Sequence, residues 1–105
     1  MTPRWKFPIL AVLLAGMSVP ARAATIEITM ENLVFSPAEV SARVGDTIQW
    51  INKDVFVHTA TARNGDFDVN IPPKRTVTSV VKKAGAVDYY CRFHPNMKAT
   101  LTVAP

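Results

Sequence analysis

From Thr25 onward, apolar residues recur at every second position. Ile26, Ile28 and Met30 alternate with Glu27, Thr29 and Glu31, the period-two pattern of a strand with one buried face. Phe35-Ser36-Pro37 interrupts the pattern, Val40, Ala42 and Val44 then alternate with Ser41 and Arg43, and Gly45-Asp46 marks a turn. Ile48 and Trp50 continue an inward face, Asn52-Lys53-Asp54 opens a loop, and residues 57 to 61 read as the far side of that loop or a new strand. Arg63-Asn64-Gly65-Asp66 is a further turn signal. An irregular span follows through Phe67 to Pro72-Pro73, where paired prolines exclude a central strand. Residues 76 to 81 are β-rich, Lys83-Ala84-Gly85 turns the chain, and residues 86 to 91 and 99 to 103 form a last pair of strands. No repeat, low-complexity tract or amphipathic helix interrupts this. Short strands separated by turn residues at intervals of roughly 8 to 12 residues predict an all-β fold, an antiparallel Greek-key β-sandwich.

The first 23 residues follow another pattern. Arg4 and Lys6 precede an apolar run from Ile9 to Met17, and Ala21-Arg22-Ala23 has the small-x-small form of a signal-peptidase site. The run is shorter than the ~18 to 20 residues of a spanning helix, so residues 1–23 are expected to be a cleaved signal peptide rather than a stable membrane anchor. The mature protein, residues 24–105, is then one domain in the periplasm. The leader also accounts for most of the basic charge. Of 12 Lys and Arg against 8 Asp and Glu, Arg4, Lys6 and Arg22 belong to it, which leaves nine against eight. That balance gives no concentrated basic face and argues against nucleic acid as a partner. Lys74-Arg75 and Lys82-Lys83 read as solvated strand-end charges.

The chemistry concentrates in Tyr89-Tyr90-Cys91-Arg92-Phe93-His94-Pro95-Asn96-Met97-Lys98. A thiolate, an imidazole and a thioether donor follow one another three residues apart. A helix would place them on one face, but Pro95 lacks a donor and clashes with the preceding turn, so the stretch reads as a tight loop between two strands. The chain's one cysteine can form no internal disulfide, and in an oxidising compartment an exposed thiol is a liability that metal binding removes. Soft sulfur with imidazole suits copper, and a trigonal Cys/His/His set with a weak axial Met is the arrangement of an electron-transfer site. His58 is the only other histidine, so His58, Cys91, His94 and Met97 are the candidate metal residues. Met30, on a strand's apolar face, is read as core.

With these residues in view, the chain resembles the cupredoxins, most closely their amicyanin and plastocyanin-like branch. Phe35-Ser36-Pro37, the run from Gly45 to Asp54, and His58-Thr59-Ala60-Thr61 resemble that family's approach to its first histidine. Tyr90-Cys91-Arg92-Phe93-His94-Pro95-Asn96-Met97 resembles its ligand loop in the short amicyanin-type form. The resemblance implies one copper ion with His58, Cys91 and His94 as strong equatorial ligands and Met97 as the weak axial one. Val57 stands where many members have proline, Thr59 where many have asparagine, and Ala99 where glycine is common. The Thr59 hydroxyl can still hydrogen-bond across to the ligand loop.

The expected function is a periplasmic, monomeric blue-copper carrier that shuttles single electrons and is not an enzyme. Phe56, Val57, Phe93 and Pro95 form an apolar rim near His94 on which protein redox partners would dock. The alternative is a periplasmic copper-binding protein for sequestration or delivery; the chain has no Met-rich or His-rich tract to favour it. Multicopper enzymes need further histidine-rich centres, which two histidines cannot build.

Overall fold

A computed structural model describes residues 22–105 of the chain; the expected signal peptide, 1–23, falls almost wholly outside them. Among the described residues, nine strands occur in the order β1 Thr25–Glu31, β2 Val34–Ser36, β3 Glu39–Arg43, β4 Thr47–Asn52, β5 His58–Ala62, β6 Asp68–Ile71, β7 Thr76–Val80, β8 Gly85–Tyr90 and β9 Lys98–Ala104. They form a four-stranded sheet, β2-β1-β4-β7, and a five-stranded sheet, β3-β9-β8-β5-β6. The expected sandwich is present, and its sheets are mixed. β1 runs parallel to β4, with Ile28 opposite Trp50, and β3 runs parallel to β9, with Val40 opposite Leu101.

Alternation along each strand builds the core. Ile28 and Met30 of β1, Ile48 and Trp50 of β4, Tyr89 of β8, and Leu101 and Val103 of β9 turn inward and are buried. At the centre, Phe35, Trp50 and Tyr89 pack edge-to-face, with ring centroids 4.9 Å apart for Phe35–Tyr89 and 5.4 Å for Trp50–Tyr89, an arrangement that adds about 0.5–1.5 kcal/mol per pair beyond area burial. The Trp50 indole Nε1–H donates to Ser79 Oγ at 2.9 Å, tying β4 to β7.

Three local expectations change. Val44 is exposed, because β3 ends at Arg43 and Gly45 turns the chain with φ 96°. The span before Pro72 contains β6, an edge strand that the prolines terminate. Phe35-Ser36 belongs to a three-residue strand paired with β1, placing Met30 opposite Phe35. β8 and β9 pair from Gly85–Val103 to Tyr90–Lys98, so the intervening loop, 91–97, is held at one end of the sandwich. His58, at the start of β5, reaches the same end.

Candidate metal centre

The β8–β9 loop is shaped by its own main chain. Cys91 N–H donates to Met97 O at 3.0 Å, His94 N–H to Cys91 O at 3.2 Å, and Met97 N–H to His94 O at 2.8 Å. These three bonds fold the loop so that donors three residues apart turn toward one point, the role Pro95 denies to a helix. β5 brings His58 to that point from 33 positions away: its Nδ1 lies 3.7 Å from Cys91 Sγ, while His94 Nδ1 lies 3.6 Å from the same sulfur. The two imidazoles meet at a centroid distance of 5.0 Å. One donor atom from each of His58, Cys91 and His94 falls within 4.8 Å of the others, the geometry of a metal-holding cluster. Met97 is buried and closes the same loop. His58 and Cys91 have no exposed surface, and His94 is partly exposed.

Groups that the linear pattern did not reveal surround these donors. The Asp54 carboxylate Oδ2 accepts from His58 Nε2 at 2.8 Å, which leaves Nδ1 as the nitrogen turned to the sulfur. Burial pushes the Asp54 carboxyl up, but hydrogen bonds from His58 and from the Leu33 and Asn32 amides outweigh it and hold it below its ordinary range. Asp54 is therefore an anion facing the His58 imidazole. The Thr59 main-chain N–H donates to Cys91 Sγ at 3.3 Å, and the Thr59 hydroxyl, as expected, crosses to the loop by accepting from Arg92 N–H at 2.8 Å. Asn52, buried at the end of β4, donates through Nδ2 to Phe56 O at 2.8 Å and accepts Asp54 N–H at 2.9 Å. It thereby fixes the loop leading into His58. Asn52-Lys53-Asp54 was visible only as a turn signal; main-chain donors such as Thr59 N–H leave no mark in a sequence.

Around the buried donors the surface is apolar. Phe56 and Phe93 are about half exposed (52% and 51%), and Val55 is more so at 69%. Phe56 stacks edge-on to His94 at 5.7 Å. Pro95 is exposed and Val57 half-buried, so the residues expected as a rim do lie at this end.

A thiolate and two imidazoles converging beside a thioether fit a soft, nitrogen- and sulfur-bound ion, and copper accepts that set in both of its oxidation states. Fold and donors together define a small β-sandwich metalloprotein with one mononuclear centre. A family model described as a cupredoxin-like domain matches residues 7–103, and the chain belongs to that family. It is 30% identical over 99 residues to the methylamine utilization protein MauL of Methylorubrum extorquens, covering 90% of this chain and 87% of that one. To the amicyanin of Paracoccus versutus it is 28% identical over 95 residues, covering 85% and 70%. Among solved structures, the amicyanin of Paracoccus versutus superposes with a TM-score of 0.65 at 26% identity, covering 82% of this chain and 85% of that one. A purple cupredoxin from Nitrosopumilus maritimus gives 0.65 at 26%, covering 75% and 99%.

Proposed function

We propose that this protein is an exported single-electron carrier in which His58, Cys91, His94 and Met97 would hold one copper ion. The observation that carries this reading is the convergence of Cys91 Sγ and the two Nδ1 atoms at a buried point beneath an exposed apolar surface. Bound copper supplies a one-electron couple whose potential follows its ligands. The chain's own residues do the rest. Thr59 N–H stabilises negative charge on the sulfur, Asp54 orients His58, and the three loop bonds hold the donors in place so that little rearranges when the charge changes. His58 and Cys91 are closed to water, so His94 is the way out. Its ring touches Phe56, and a redox protein resting on Phe56, Val57, Phe93 and Pro95 would bring its own centre close.

Delivery or sequestration of copper would favour donors that a receiving protein can reach. Two fully buried ligands oppose it. The periplasm, entered through the leader, is the compartment of this reading.

The test is optical. Cu(II) added to the purified protein should give an intense thiolate-to-copper visible band, with a reversible one-electron wave in voltammetry. Cys91→Ser should keep the β-sheet circular dichroism and lose the band. A Cys91→Ser protein that stays coloured would sink the ligand assignment, and rapid copper loss to a chelator would favour delivery.

A further inference from the structure

We propose that Asp46 is the receptor for the ammonium group created when the chain is cut between Ala23 and Ala24, so that leader removal completes an ion pair at the end of the sandwich opposite the metal centre. Asp46 is 5% exposed and is the one buried carboxylate among the described residues. A buried carboxylate is costly without a cationic partner, yet the Lys and Arg ion pairs of the described residues are Lys83–Asp66 and Arg92–Asp68 and do not include it. One of its oxygens has a local role: Oδ2 accepts Arg43 N–H at 2.8 Å and, with Asp46 N–H donating to Arg43 O at 3.0 Å, shapes the turn at Gly45. Oδ1 is aimed elsewhere, accepting Ala24 N–H at 2.8 Å across 22 positions of sequence. These bonds, Ala24 first and Arg43 second, with the charge of the Arg43 side chain as a smaller contribution, hold the carboxyl below its ordinary range in spite of burial.

Ala24 is anchored from its other side by Thr47 N–H, which donates to Ala24 O at 2.9 Å, while Arg22 and Ala23 are exposed and lie outside any strand. The bond marked by Ala21-Arg22-Ala23 therefore lies one residue outside an anchored position. An export-linked peptidase adds water across it. The C–N bond breaks, Ala23 leaves as a carboxylate, and the freed Ala24 amine takes up a proton. The atom that donated a neutral amide hydrogen bond to Asp46 then carries a positive charge, and the bond becomes charge-assisted.

The other charged side chains at this end are Arg43, and Lys82 and Lys83 beyond Val81. Lys83 is paired with Asp66; Val81 N–H donates to Asp46 O at 2.8 Å, and Ala104 O accepts Val44 N–H. An α-amino group ordinarily titrates near 8, and pairing raises that value. Its stabilisation is therefore complete below about pH 8 and is lost as pH rises through the folded-state value.

The experiment has two parts. Intact mass of the exported protein should show a chain beginning at Ala24. The copper-loaded 24–105 protein is then compared with the same protein Nα-acetylated, which keeps the N–H donor without the charge, and with Asp46→Asn. Between pH 7 and pH 10 the folding constant of the free-amine protein, from urea unfolding, should fall about tenfold relative to the acetylated one. The α-amino resonance should titrate about one pH unit above its ordinary value, and Asp46→Asn should abolish both effects. Equal pH–stability curves for free and acetylated chains, an amine titrating at the ordinary value, or a mature chain starting elsewhere would each overturn the proposal. None of these readouts depends on the colour or potential of the copper, so failure here leaves the carrier reading standing.

Discussion

Met97 is held by main-chain bonds to its own loop, so its side chain can change without moving Cys91 or His94. On the proposed ligation, Met97→Leu conserves volume and removes a weak donor whose loss destabilises Cu(II) more than Cu(I). Copper should stay bound and the reduction potential should rise, as voltammetry will report; an unchanged potential would make Met97 packing alone. Asp54 acts on His58 through the ring nitrogen turned away from the Cys91 sulfur. Asp54→Asn keeps one acceptor oxygen, enough for one of the Asn32 and Leu33 amides, and removes the anion facing His58 Nε2. Copper affinity should fall by about 10–100-fold in a chelator competition, with the fold intact. Cys91 and His94 were legible in the sequence because both lie in one short run. Asp54 was not, because its role depends on where loop 53–57 folds relative to a histidine four positions away.

β4 and β8 face each other across the two sheets, and their aromatic contact holds the layers together. Tyr89 contributes its ring to Phe35, Trp50 and Phe67. Its hydroxyl, however, is buried with no hydrogen-bond partner among the described residues, and burial raises its pKa far above the ordinary tyrosine value, so the group stays neutral. Tyr89→Phe keeps the ring contacts and removes the orphan hydroxyl. Thermal unfolding should show equal stability or a gain of about 1 kcal/mol, whereas a loss of more than about 1 kcal/mol would mean the hydroxyl is paired. Alternation predicted β1, β3, β4, β8 and β9 because each buries one face. The three-residue β2 and the edge strand β6 escaped because neither is long enough to show a period.

At the scale of the molecule, three cations gather beside the apolar rim. Lys53 follows the end of β4. Lys74 donates its N–H to Asp54 O at 3.2 Å, and Arg75 O accepts Asn52 N–H at 2.9 Å. All three are exposed, and none pairs with a carboxylate among the described residues. Lys74 and Arg75, read from the sequence as strand-end charges, thus flank the loop that carries Phe56. Oxidation of the Cu(I) protein by anionic hexacyanoferrate(III) should slow as salt rises past about 0.1 M, where screening acts within ~10 Å. Lys74→Gln with Arg75→Gln should lower the low-salt rate severalfold and flatten that dependence, as stopped-flow mixing would show. By itself the sequence determined the strand-rich fold class and the donor types that the 91–97 loop carries. Each follows from local rules: two-residue alternation, the helix-breaking Pro95, and the coordination preferences of sulfur and imidazole. Only the tertiary structure decided that β1 and β4, and β3 and β9, run parallel, because those pairings join strands far apart in the chain and rest on how the sheets close over one core. The same closure brought His58 Nδ1 to Cys91 Sγ and set Thr59 N–H against that sulfur. A main-chain amide is common to every residue except proline, and only its place in space makes it part of a site.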